Sequence, residues 1–132
     1  MFLNRLNLTE KGAFVSMAFH AAQANGQVEE EEKIMIGEYC KEMGITLPDD
    51  VTVKPMNELM DVYSNSDLQH KKIVVLEIIG MMYADGEYDN DEKGFVKSLA
   101  QKLEISTATL DEIELALEKY IEVTRELVKC ID

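Results

Sequence analysis

The chain repeats itself at an interval of 60 residues, and this internal similarity constrains its fold more than any other feature. Residues 13–46 align without gaps to residues 73–106. Identical residues occupy the pairs Val15/Val75, Ala24/Ala84, Gly26/Gly86, Glu32/Glu92, Lys33/Lys93 and Ile45/Ile105. The matches cluster around the two Ala-x-Gly segments, so the pattern predicts a duplicated structural unit that centres on a turn.

Each copy predicts a helix, a sharp turn and a second helix. The first helices, roughly residues 10–24 and 67–84, are apolar on nearly all sides, which is typical of buried central helices. Gly26 and Gly86 suit the left-handed conformation that follows a helix end, because glycine adopts it without steric strain. The two glycines therefore mark the predicted turns.

The second helix of each copy is amphipathic. These helices cover roughly residues 29–43 and 89–103. Their predicted inner faces are Ile34, Tyr39 and Met43 in the first, and Phe95, Val96, Leu99 and Leu103 in the second. The segment Asp89-x-x-Glu92 resembles a capping box, in which Asp89 accepts a hydrogen bond from a free amide of the first turn.

Three further elements complete the predicted order. Pro55 opens a short helix that ends near Ser64. Ser66-x-x-Gln69 is predicted to cap the second central helix, and Thr109-x-x-Glu112 is predicted to start the last one.

The chain as a whole predicts an all-α fold, because no segment shows a useful length of the apolar–polar alternation of a β-strand. We expect one domain, residues 1–132, folded as a compact bundle of about six helices in two pseudo-symmetric halves. Its parts are repeat 1 at about residues 10–46, repeat 2 at about 67–106 and a C-terminal helix at about 108–131.

The predicted C-terminal helix carries a single apolar stripe. The stripe consists of Leu110, Ile113, Leu117, Tyr120, Thr124, Leu127 and Ile131. Three heptads of this kind either pack against their own bundle or form a coiled-coil dimer. The chain is therefore predicted to be a monomer or a weak homodimer.

Charge and cysteine content exclude several classes of protein. A formal net charge of -13 argues against nucleic acids and anionic membrane surfaces as ligands and favours cations or basic partner surfaces. The longest apolar run, residues 73–84, contains Glu77 and is too short to span a bilayer. The start of the chain lacks the features of a signal peptide. Cys40 and Cys130 form no metal-binding or disulfide motif, so they predict reduced thiols in a cytoplasmic protein, with Cys40 buried.

The acidic segment that follows the second central helix is the strongest candidate site. It places five carboxylates within eight positions: Asp85, Glu87, Asp89, Asp91 and Glu92. These residues could supply oxygen ligands to a divalent cation such as Ca²⁺, Mg²⁺ or Mn²⁺. The segment is not an EF-hand, since aligning Gly86 with its invariant glycine puts Met81 and Tyr83 at ligand positions. The alternative is a helix start at which carboxylates only complement the macrodipole.

Other polar residues are weaker candidates for a functional site. His20 and Glu77 could form a buried proton or metal site, or be ordinary hydrogen-bonded groups. His70 is predicted to be exposed. Cys40 and His20 could bind zinc only with two further donors, which the sequence does not offer. The eight methionines either fill the core or form an adaptable partner surface.

The duplicated segments "AQANGQVEEEE" and "YADGEYDNDEK", each after an apolar helix, resemble the tellurite-resistance TerB-like family over about residues 10–125. The resemblance implies a compact all-helical domain with two pseudo-symmetric halves and a divalent-cation site beside the turn. It also implies a link to metal or chemical stress. In the first copy Asn25 replaces Asp and Gln27 is neutral, which argues against an equivalent second site.

Together these features predict a non-catalytic cytoplasmic protein of the TerB-like type, which binds a divalent cation at the acidic turn and acts through an unknown protein partner in a stress response. The alternative is a purely structural or interaction module that binds no metal. A metal-assisted hydrolase is a third possibility, although no nucleophile, phosphate-loop or zinc-protease motif is present and no catalytic or cofactor-binding residue can be assigned.

Overall fold

Six α-helices follow one another in a computed structural model that describes residues 1–24, 26, 29–48, 50–84 and 87–132, without the side chain of Glu29. They are α1 (Leu8–Ala24), α2 (Glu29–Met43), α3 (Met56–Ser64), α4 (Leu68–Ala84), α5 (Asn90–Lys102) and α6 (Thr107–Ile131), preceded by a short 3₁₀ helix, Leu3–Arg5. Within these residues there is no strand. The predicted all-α bundle is confirmed.

The two central helices are α1 and α4, as predicted. α1 packs against α2, α3, α4 and α5, while α4 also packs against α5 and α6. Both helices are buried on several sides, which explains why their sequences lack a polar stripe. Their apolar side chains include Phe14, Met17, Val74, Ile78 and Met81, all with no exposed surface.

The cap of α5 is confirmed in detail. The backbone N–H of Glu92 donates to Asp89 Oδ1 at 2.8 Å, and the backbone N–H of Asp89 donates to Glu92 Oε1 at 3.0 Å. This reciprocal pair satisfies two amides that the helix itself cannot bond. At the other turn, Gly26 has a φ of 73°, the left-handed conformation predicted for it. The corresponding Gly86 lies outside the described residues.

Two of the predicted caps are wrong by one or a few residues. Asp67 caps α4, since its Oδ1 accepts the backbone N–H of His70 at 2.8 Å. Ser106 caps α6, since its Oγ accepts the backbone N–H of Thr109 at 3.1 Å. In both cases the capping residue directly precedes the first helical residue, whereas Ser66 precedes it by two positions and Thr109 lies inside the helix. Pro55 directly precedes α3, as predicted.

The inner face of α2 differs from the prediction at one position. Ile34 is 68% exposed, while Ile36 and Cys40 are buried. Glu32, Ile36 and Cys40 follow one another at intervals of four and so lie on one side of the helix. Ile34 lies about half a turn from this row, and therefore faces solvent. Met43 is buried as predicted, and Tyr39 is partly buried.

The ends of α2 and α5 are built alike. Gly44 has a φ of 72° and Glu104, 60 residues later, has a φ of 60°. The backbone N–H of Ile45 donates to the Cys40 carbonyl at 3.0 Å, and that of Ile105 donates to the Ala100 carbonyl at 2.9 Å. These local correspondences agree with the predicted repeat, whose pseudo-symmetry as a whole stays a prediction.

Candidate functional site

Glu87 and Tyr88, from the part of the acidic segment that the structure describes, line one wall of a groove, and α6 forms the other. The groove has a volume of about 680 Å³. The lining side chains come from the end of α4, the segment before α5, the first turn of α5 and the middle of α6. They are Tyr83, Glu87, Tyr88, Lys93, Glu118, Ile121, Glu122 and Arg125.

The predicted cation ligands have different environments. Glu87, Asp89 and Asp91 are exposed, whereas Glu92 is only 1% exposed and takes part in the capping box. Asp85 lies outside the described residues. Among the described residues, no three His, Cys, Asp or Glu side chains converge as a metal site would require. The capping box by itself accounts for the positions of Asp89 and Glu92. For these two residues the alternative, a helix start without a bound cation, is sufficient.

Two tyrosines supply the aromatic rings of the groove. The rings of Tyr83 and Tyr88 are 5.2 Å apart between centroids and tilted by 46°. The Lys93 ammonium lies 5.6 Å from the centroid of the Tyr88 ring, within the range of a cation–π interaction. An aromatic wall of this kind is attractive to positive charge because the face of each ring is the negative pole of its quadrupole.

Burial and the negative charge of nearby carboxylates raise the pKa of both tyrosine hydroxyls. Burial raises the pKa of Tyr83, and the carboxylates of Glu118 and Glu114 raise it further. Burial also raises the pKa of Tyr88, and so does the neighbouring Glu114 carboxylate. At both tyrosines a nearby negative charge disfavours the phenolate. The same field favours a positively charged ligand.

Sequence reasoning missed the contribution of α6 to this groove. Glu114, Glu118 and Glu122 are spaced by four residues, so they form one acidic row on the helix. This row was the available signal. Its position beside Tyr83 and Tyr88 depends on how α6 packs against α4 and α5, which the spacing alone does not reveal.

A second polar cluster joins the starts of α1 and α4. Glu10 is buried, and its carboxylate accepts the backbone N–H of Asn7 at 2.8 Å and the Ser66 hydroxyl. The Nδ1 atom of His70 lies 2.7 Å from Glu10 Oε1. An adjoining groove of about 420 Å³ includes Asp61. The prediction that His70 is exposed is wrong, because Glu10 draws its ring partly into the interior.

This Ser, Glu and His arrangement does not have the order of a catalytic triad. In a triad the imidazole lies between the hydroxyl and the carboxylate, so that it can take the proton of the nucleophile. Here the Glu10 carboxylate lies between Ser66 and His70 and bonds both of them. The cluster therefore links α1 to the start of α4 through hydrogen bonds.

His20 and Glu77 have separate partners. The Nε2 atom of His20 donates to the Lys54 carbonyl at 2.8 Å. The buried Glu77 carboxylate accepts the Phe2 backbone N–H at 2.5 Å and lies 2.9 Å from the Met1 ammonium. The hypothesis of a joint proton or metal site is therefore wrong, and each residue is an ordinary hydrogen-bonded group.

The sulfur-containing residues follow the simpler of their predicted roles. Cys40 is buried, which raises the pKa of its thiol, and Cys130 is exposed. Several methionines fill the core, with Met17, Met81 and Met82 fully buried.

Comparisons with protein-family models, curated proteins and solved structures found no match. In the part of the chain that the structure describes, no helix is both long enough and apolar enough to cross a membrane. The geometry of the groove is therefore the basis on which a function can be argued.

Proposed function

We propose that this is a non-catalytic binding protein that holds a basic segment of a partner protein in the groove between the acidic turn and α6. The observation that carries the proposal is the combination of Tyr83 and Tyr88 with the carboxylates of Glu118 and Glu122 along one groove. Lysine and arginine side chains are the protein groups that combine a positive charge with an apolar stem.

Electrostatics supports this ligand. The chain has a formal net charge of -13, so positively charged segments are drawn toward it over a distance set by ionic strength. Within the groove there are three carboxylates, one from Glu87 and two from α6, and two positively charged side chains, Lys93 and Arg125. The excess of negative charge is raised by Glu114, which acts on both tyrosines.

The shape of the site favours an extended organic cation over a bare metal ion. Ca²⁺ requires six to eight oxygen atoms at about 2.3–2.6 Å, so its ligands must converge on one point. The carboxylates of the groove are instead distributed along two walls. A guanidinium group can stack on a tyrosine ring while its N–H groups donate to a carboxylate beside that ring.

The resemblance to the TerB-like family adds a context to this proposal. It suggests a cytoplasmic protein that acts through a partner in the response to metal or chemical stress. Binding through the groove supplies the contact with that partner and needs no catalytic residue. A structural module without any metal is compatible with the same contact.

The groove predicts a charge-dependent interaction with basic peptides. We expect acetyl-Gly-Arg-Gly-Arg-Gly-amide to shift the ring NMR signals of Tyr83 and Tyr88 on titration. The double variant Glu118→Gln/Glu122→Gln should weaken binding by roughly twofold to thirtyfold, since each exposed ion pair contributes about 0.2–1 kcal/mol.

A matched variant separates the groove from the general acidity of the chain. Glu30 and Glu31 are exposed on α2, so Glu30→Gln/Glu31→Gln makes the same change in net charge at another place. This variant should keep most of the affinity. Equal losses in the two variants, or unchanged tyrosine signals at saturating peptide, would show that the groove is not the binding site.

A divalent cation at the turn is the second candidate. The exposed carboxylates of Glu87 and Asp91, which belong to the same acidic segment of the sequence as Asp85, favour it. It predicts that millimolar Ca²⁺ or Mn²⁺ raises the melting temperature, because a ligand that binds only the folded state stabilises it. Asp85→Asn/Asp91→Asn should abolish the rise. A rise no larger than that produced by NaCl of equal ionic strength would rule this candidate out, since it would reflect screening alone.

A further inference from the structure

The second half of α6 exposes a continuous apolar face. From Glu118 to the end of the chain every residue is exposed except Ile121, which is partly buried. The large apolar side chains of this segment expose between 47% and 84% of their surface. They are Tyr120, Val123, Leu127, Val128 and Ile131. The stripe that buries Leu110 and Leu117 against the bundle thus continues beyond it without cover.

The uncovered face is wide and free of charge. When Leu117 and Thr124 are assigned to heptad position a, the apolar residues and Cys130 occupy the core positions a and d and the flanking positions e and g. The charged residues all lie on the remaining side. They are Glu118, Lys119, Glu122, Arg125, Glu126, Lys129 and Asp132. A helix of this pattern is typical of one that pairs with another apolar helix.

The low net charge of the segment favours a second copy of the chain as the partner. Residues 118–132 contain four acidic and three basic side chains, a net charge of -1, whereas the whole chain carries -13. The rest of the chain carries the remaining -12, so two copies repel each other through that part. The end of α6 is the place where two copies can approach with little electrostatic cost.

We infer that this face pairs with the same face of a second copy of the chain, with the two helices antiparallel. Residues 120–131 form a helix about 18 Å long. An antiparallel pair places the two acidic bodies at opposite ends of this length, which exceeds the Debye length of about 8 Å at physiological ionic strength. A parallel pair would place the bodies side by side. The antiparallel arrangement also aligns the helix dipoles favourably.

The size of the face makes the dimer weak. Complete burial of five large apolar side chains corresponds to roughly 300–600 Å² per copy. Each of these five side chains is already partly covered in the single chain. The pair then buries less than the 1,200–2,000 Å² or so of standard stable interfaces. Monomer and dimer therefore exchange.

The antiparallel register follows from the heptad. When core positions of one helix face core positions of the other, Thr124 lies opposite Leu127 of the second copy. On one flank, Cys130 lies opposite Val123 of the second copy. This second pair offers a direct test of orientation, because Cys130 is an exposed free thiol.

Sedimentation velocity tests the pairing. The mass of the wild-type chain should rise from 15.0 kDa towards twice that value as concentration rises into the hundred-micromolar range. Leu127→Glu should keep the chain monomeric, because each copy would bury a carboxylate in the apolar seam. Leu115→Glu, at an exposed leucine on another side of the same helix, should leave dimerisation unchanged. A wild-type chain that stays monomeric, or equal effects of the two variants, would overturn the inference.

Cross-linking tests the orientation. In oxidised glutathione, Val123→Cys should form a dimer through disulfides between residue 123 and Cys130, identified by mass spectrometry of the peptides. Val123→Cys/Cys130→Ser is the control and should lose that bond. Circular dichroism of each variant verifies that the helices are intact. A disulfide that joins Cys130 to Cys130 of the second copy in the wild-type chain would overturn the antiparallel arrangement.

Discussion

Replacing Phe14 with alanine should lower the free energy of unfolding by about 3–5 kcal/mol, the usual cost of emptying the site of a buried aromatic side chain. Phe14 is fully buried in α1, and its ring meets that of Tyr39 on α2 edge to face, with centroids 6.0 Å apart. The loss combines removed apolar contact with the cavity left between two helices. Urea unfolding, followed by circular dichroism, measures it as a shift of the midpoint.

The variant Phe14→Leu provides the matched comparison. Leucine keeps the site apolar and fills most of it, so the expected loss is only about 1–2 kcal/mol. If Phe14→Ala cost no more than Phe14→Leu, the side chain would not be part of a close-packed core and the packing of α1 on α2 would need revision. A loss of 3–5 kcal/mol is a large fraction of the roughly 5–15 kcal/mol by which domains of this size are stable.

The second large effect is expected at Glu10. Glu10→Ala removes the acceptor of three groups: the Asn7 amide, the Ser66 hydroxyl and the His70 ring. We expect a loss of about 2–4 kcal/mol, because partly buried donors left without an acceptor keep their full cost of desolvation. Glu10→Gln keeps the shape and an acceptor oxygen, so its loss should be smaller. Equal stability of Glu10→Ala and the wild type would contradict the proposed link between α1 and α4.

The same residue predicts a dependence on pH. Burial alone would raise the pKa of Glu10, but the hydrogen bonds from Ser66, Asn7 and His70 outweigh burial and hold the pKa below its usual value of 4.5. A carboxyl group with a lowered pKa stabilises the folded state above pH 4.5 and loses this contribution as pH falls through the folded value. Between pH 4.5 and lower values, the wild type should therefore lose more stability than Glu10→Gln. Parallel urea midpoints of the two chains across this range would contradict it.

Much of the fold could be predicted from sequence because helix identity here depends on local signals. The apolar length of α1 and α4, the Asp89-x-x-Glu92 pattern and the glycine at position 26 each act within a few residues. Local rules failed where two neighbouring candidates competed, as Ser66 and Asp67 did for the cap of α4. The exposure of Ile34 came from a choice of helix face, which depends on the neighbouring α1 as well as on α2.

The candidate site was only half visible in the sequence. The acidic turn is visible in the sequence because its five carboxylates lie within eight positions. The glutamates of α6 lie about 30 residues further on, and nothing local connects them with Tyr83 or Tyr88. Likewise, Glu10 and His70 meet across 60 residues, so that only the packing of α1 beside α4 brings them together.

The uncovered second half of α6 also affects how the helix is held together. Helical segments of about a dozen residues are marginal in water by themselves, so this half depends on the packed half to provide its first turns. Backbone opening should therefore spread inward from Ile131, with amides near the C-terminus exchanging with solvent sooner than those at Leu117. Contact with a second helix would slow that exchange. The amides in the second half of α6 would therefore be protected mainly in the dimer.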